Sequence, residues 1–159
     1  MTLEPKIALR LQFLVRVVRK ECRHLAATDQ RLFGASFSLE QASRLEEDPD
    51  LAERVEAFVG RFSRLQDTLG DKLLPLLLAT LGEKPSAAID NLDRAERLRL
   101  LGSADEWMAM RNLRNQMVHE YVEDPAVLTS ALQTGHAFVP ALIATANKMS
   151  AEIERRGWA

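Results

Sequence analysis

Apolar side chains recur in this chain at every third or fourth position, and no segment gives a convincing apolar–polar alternation of the kind a half-buried strand needs. Ile7, Leu11, Leu14, Val15, Val18, Cys22 and Leu25 fall on one helical face, which predicts a first helix over roughly residues 3–27. Thr28 to Ala35 reads as a loop. Ser38 and Gln41 have the spacing of a capping box and start a short second helix. Asp48-Pro49 opens a long third helix, with Pro49 at the first helical position. That helix runs to about Leu81, with a kink expected at Pro75 and a stop at Gly82.

Pro85-Ser86 opens a fourth helix ending near Leu101. Ser103 and Glu106 cap a fifth that ends near Glu123. Asp124-Pro125 starts a sixth, expected to bend or break near Gly135 and Pro140. The connections are short, so neighbouring helices should run antiparallel. The predicted fold is an all-α, antiparallel bundle of five to six helices, in one domain over residues 1–159.

Composition narrows the functional classes. The net charge of -2 gives no global basic field, so any contact with nucleic acid must use a local patch. The chain has one cysteine, Cys22, and therefore no internal disulfide. The N-terminus lacks the marks of a signal peptide, and the longest apolar run, Leu73–Leu81, is too short to span a bilayer. The expectation is a cytoplasmic protein without a membrane anchor. The histidines and Cys22 show no metal-ligand spacing and there is no phosphate-cradling glycine loop, so neither a metal nor a cofactor is expected.

The fifth helix breaks its own pattern. Trp107, Met110, Leu113, Met117, Val118 and Tyr121 share one wide arc that should face the core. Arg114 falls in the middle of that arc, where a guanidinium is costly unless paired and hydrogen-bonded. Asp67 and Asp71 on the third helix are the available partners. A narrower polar arc holds Asn112, Asn115 and His119, with Arg111 at its edge. Asn115 and His119 are four apart, so their side chains can meet. Two readings of this pattern stay open: a reactive site, or a satisfied buried arginine beside ordinary polar residues. Basic residues also line the first helix, at Arg16, Arg19, Lys20 and Arg23, as an RNA-binding stripe or a solvated face.

The string Arg114-Asn115-Gln-Met-Val-His119-Glu-Tyr121 resembles the signature of the HEPN superfamily, an Arg, usually followed by Asn, four to six residues before a His. The Tyr two residues after the His is similar to the pattern of HepT-type toxins, which pair with minimal nucleotidyltransferase antitoxins. The stretch Arg61 to Asp67, the following Gly70-Asp71-Lys72-Leu73, and Trp107 add to the likeness, which covers residues from about 50 to 123.

The resemblance implies a HEPN-like bundle with a four-helix core, acting as a homodimer that cuts RNA without metal. Arg114, Asn115 and His119 would line a cleft between subunits, supported by Arg111 and Asp67. The nucleotidyltransferase partner would neutralise the toxin, in some members by transferring AMP to the motif tyrosine, here Tyr121. The alternative within the same likeness is a non-catalytic, nucleotidyltransferase-binding subunit.

Metal-free RNA cleavage uses the 2′-OH as nucleophile and needs a base, an acid and positive charge at the phosphorane. Histidine, titrating near about pH 6.5, serves either proton role. Arginine grips phosphate oxygens in a fork. On a regular helix, however, Arg114 and His119 point about 140° apart. Either two subunits bring them together, or the helix is distorted, or Arg114 is structural.

Overall fold

The computed structural model describes residues 3–119 and 123–159, with His119 described by its backbone only. Its helices are α1 (Pro5–Phe33), α2 (Leu39–Ser43), α3 (Pro49–Asp67), α4 (Leu74–Thr80), α5 (Ala88–Arg97), α6 (Ala104–His119) and α7 (Pro125–Arg155), and a π-helical turn, Thr68–Leu73, joins α3 to α4. No strand occurs among the described residues.

Four helices close a ring: α1 packs on α3 and α7, and α6 packs on α3 and α7. Neighbours are antiparallel. Along α1, Glu21 meets Thr68 while the later Thr28 meets the earlier Arg61. Likewise Gln12 meets Trp158 and Asp29 meets His136, so α7 runs against α1. The core between them holds Leu11, Leu14 and Leu25 of α1, Phe58 and Phe62 of α3, Met110 and Met117 of α6, and Leu132 and Leu142 of α7. The all-α bundle anticipated from periodicity is the observed architecture.

Several boundaries differ from the sequence expectation, each for a tertiary reason. Residues 28–33, expected as loop, continue α1. Thr28 and Leu32 are buried there, and the Phe33 ring packs edge-on against Phe58 and stacks on His136 with centroids 4.3 Å apart. The fourth helix begins at Ala88 rather than Pro85. The buried Asn91 side chain accepts from the Ser86 N–H at 2.9 Å and donates to the Ser86 carbonyl at 3.2 Å, holding residues 86–87 as a closed loop. That helix also stops earlier than expected, where Arg99 takes a left-handed φ of 60°. The Leu100 N–H reaches back to the Ala95 carbonyl there, as in a Schellman stop.

The sixth predicted helix neither breaks at Gly135 nor at Pro140 but runs through both as α7. A Cβ on Gly135 would meet Phe58 Cε1 at 3.2 Å and Met117 Sδ at 3.3 Å, so the glycine is there for close packing rather than for a break. α7 is also long and apolar enough, by length and composition alone, to cross a membrane, which a search for unbroken apolar runs overlooks. In the bundle one side of it forms the core, through Leu128, Leu132, Val139, Leu142, Met149 and Ile153.

The disturbance expected at Pro75 appears one turn earlier. In an α ladder the ring of Pro75 would press on the carbonyl of Asp71 and supply it no N–H. Instead the chain widens to π spacing over Thr68–Leu73, with the Leu74 N–H donating to the Leu69 carbonyl, and Pro75 sits in the first turn of α4. Gly82 ends α4 at φ 86° as expected.

Candidate functional site

α6 begins as its sequence predicts, with the Glu106 N–H donating to Ser103 Oγ at 3.1 Å. Of the core arc, Trp107, Met110, Leu113 and Met117 are buried. Val118 is not: it is 37% exposed, on the edge of the arc next to Arg111 and Asn115, and the expectation that it faces the core is corrected. Tyr121 lies outside the described residues.

Arg114 finds the partner its position demands. Its Nη2 donates to Asp67 Oδ2 at 2.9 Å and its Nη1 to Asn115 Oδ1 at 3.0 Å. The pair is partly exposed, 27% on the Arg114 side chain and 46% on that of Asp67. Of the two acids expected as partners, Asp67 makes the bond, while Asp71 lines the same cleft.

That cleft, about 70 Å³ in volume, lies between α6 and the junction of α3 with the π turn. Arg111, Arg114 and Asn115 form one wall, and Gln66, Asp67, Gly70 and Asp71 the other, with Trp107 between. Gly70 is required by this closeness: a Cβ there would stand 3.2 Å from Trp107 Cζ2. The π turn therefore does two things at the site, since it brings Gly70 under the indole and turns Asp71 to the cleft. Such turns, inserted into α-helices, are frequent at functional sites.

Gln66 is a residue the sequence reading did not single out. It is 3% exposed, and neither Oε1 nor Nε2 has a hydrogen-bond partner among the described residues. Arg114 Nε is in the same condition. Two residues of the cleft thus carry polar atoms that are fully buried and have no partner among the described residues, which costs stability. The rule that picked out Arg114 applies equally to Gln66, a polar residue on an apolar face between Phe62, Leu65 and Leu69.

α6 is described as far as His119 and is regular α up to it. Position 119 therefore lies about 140° around the helix from position 114. Distortion of the helix, one of the three ways to reconcile them, is removed. Of the other two histidines, His136 Nδ1 bonds Asp29 at 2.7 Å and His24 is exposed on α1. Among the described residues no three potential metal ligands cluster.

Behind the cleft, on the α1 side, lies a carboxylate under tension. Burial pushes the Glu21 carboxyl above its ordinary range, opposed by the Thr68 hydroxyl that donates to it at 3.0 Å and by Arg64 and Lys72. Its Oε2 has no partner among the described residues. Next to it, burial pushes the Cys22 thiol up to about 11, which keeps it protonated and unreactive at neutral pH.

Comparison of the chain with models of known protein families, with curated proteins and with solved structures gives no match.

Proposed function

We propose that the protein is a metal-independent endoribonuclease toxin of the HEPN type, HepT-like, working as a cytoplasmic homodimer and neutralised by a minimal nucleotidyltransferase partner. The reading rests on the Arg114-to-His119 motif with its Tyr121. The observation that carries it is that Arg114 stands in a polar cleft rather than in the apolar core, held by Asp67 and Asn115 and flanked by Arg111.

In this reading Asp67 is a positioning residue. It orients the guanidinium, as Asn115 does from the same helix, so that its exposed part is held in place before a phosphate arrives. Charge fixed in place before the reaction is commonly the largest catalytic contribution. His119 supplies general acid or base, and a two-fold dimer presents two copies of it, one for each proton transfer. Since position 119 lies about 140° around a regular α6 from position 114, one subunit's guanidinium and the other's imidazole would act on the same phosphate. AMP on Tyr121 would add bulk and negative charge beside that cleft and repel RNA.

One observation favours the second reading, a non-catalytic subunit that binds the nucleotidyltransferase. The Asp67 carboxylate offsets the charge of Arg114, which is what a structural arginine looks like.

The two readings part in one experiment. Purified protein is incubated with RNA in the presence of a chelator. Cleavage leaving 2′,3′-cyclic phosphate ends, abolished in His119→Ala, is the expected result. Cleavage undiminished in that variant would sink the assignment of His119, and no cleavage by the wild type would leave the subunit reading. Incubation with the partner and ATP, followed by intact-mass measurement, tests Tyr121. The added adenylyl mass should vanish in Tyr121→Phe.

A further inference from the structure

The outward face of α1 carries a row of basic residues. Arg16, Lys20, Arg23 and His24 are all exposed on it, while Arg31, farther along, shares a groove with Asp50 and Glu53 of α3. From Arg16 to His24 that row extends about 12 Å along the helix axis. The two acidic residues inside the helix both turn away from it, Glu21 to Thr68 of the π turn and Asp29 to His136 of α7. Arg19, from the same sequence cluster, also leaves the row and pairs with Glu154. In a chain of net charge -2 the bundle has therefore sorted its charges, leaving this face basic.

The same face exposes apolar surface at its N-terminal end. Leu9 is 65% exposed and Phe13 45% exposed, and the Arg10 guanidinium lies over the Phe13 ring at 5.3 Å from its centroid. An exposed ring stacked with an arginine, in line with a row of cations, suits a ligand offering both phosphates and flat aromatic faces. Unpaired nucleotides offer both, whereas a duplex hides its base faces and a lipid surface has none.

We propose that the outward face of α1 is a docking track for single-stranded RNA, with phosphates along Arg16, Lys20 and Arg23 and a base stacked at Phe13. It rests on the ribonuclease reading for the identity of the polyanion. Arg64 and Lys72, both exposed, lie near Glu21 at the level of the π turn, beside the cleft carboxylates Asp67 and Asp71. The track would select long, unpaired substrates, which the small cleft by itself cannot do.

The test uses a fluorescent 2′-O-methyl RNA oligonucleotide, long enough to cover α1 and lacking the hydroxyl that attacks. Binding is thus read whether or not the protein cuts. The combined variant Arg16→Glu, Lys20→Glu, Arg23→Glu should bind about tenfold more weakly or worse, with a log–log salt dependence shallower by about 2. Phe13→Ser should weaken RNA binding roughly fivefold or more, yet leave binding of polyphosphate, which has no bases, unchanged. Circular dichroism checks that each variant is folded.

Binding of the charge-reversed, folded protein within about twofold of wild type would overturn the track. So would wild-type protein that sediments with phosphatidylserine vesicles but ignores the oligonucleotide. Weakened binding in the variants, together with no cleavage of ordinary RNA by the wild type, would keep the track and remove the nuclease. Cleavage with α1 irrelevant to binding would do the reverse.

Discussion

Arg114 and Glu21 are two charged residues that the fold treats in opposite ways. Arg114 stands among apolar neighbours on α6 but is given a carboxylate, a side-chain amide and partial exposure. Glu21 is given a single hydroxyl and is left with an unpartnered oxygen, so burial raises its pKa above 4.5. The sign of its linkage follows. A carboxyl whose folded pKa lies above the unfolded one favours folding when protonated. Its contribution is full below about pH 4.5 and is lost as pH rises through the folded value. Glu21→Gln should therefore be more stable than wild type at neutral pH, and the difference should shrink to nothing in acid. Melting temperatures of both proteins across that range check it. A variant less stable than wild type at pH 7, or an offset constant with pH, would contradict the assignment. Arg114 was legible in the sequence because helical spacing alone puts it on an apolar arc. The choice of Asp67 over Asp71 was not, since the π turn, invisible to an α-helical projection, decides which acid comes into bonding distance.

At the scale of helices, the glycines divide by what stands opposite them. Gly60 lies inside α3 with nothing within 4 Å of where a Cβ would be, so it gives up helix propensity without any packing in return. Gly60→Ala should stabilise the protein by about 0.5–1 kcal/mol. Gly135 is the point at which α7 lies against Phe58 and Met117. Gly135→Leu should destabilise by about 1–3 kcal/mol through overpacking. Urea unfolding of the two variants reads both signs in one experiment, and a Gly135→Leu protein as stable as wild type would mean that α7 does not pack this closely. The same contrast explains which boundaries the sequence could reveal. Starts marked by local chemistry, Ser38, Asp48-Pro49, Ser103 and Asp124-Pro125, lie where they were expected. The extension of α1 through Phe33 and the passage of α7 through Pro140 depend on partners distant in sequence.

For the whole molecule, the decisive geometry is that Arg114 bonds α3 while position 119 lies about 140° around a regular α6 from it. On that register the ribonuclease reading requires a second copy. Val118 gives a way to ask for it. This valine is exposed in the monomer on the edge of α6, between the polar arc and Trp107, where a subunit contact that joins two motifs would cover it. Light scattering should give a solution mass near twice the 17.9 kDa of the chain. Val118→Glu puts a charge where a contact needs an apolar group, at a position 37% exposed in the monomer. Its mass should fall to that of one chain and RNA cleavage should go with it, while the helical circular dichroism stays. A wild-type protein that is monomeric and still cuts RNA would refute the shared-cleft chemistry. One that is monomeric and inert would move Arg114 to the structural role its pairing with Asp67 already permits.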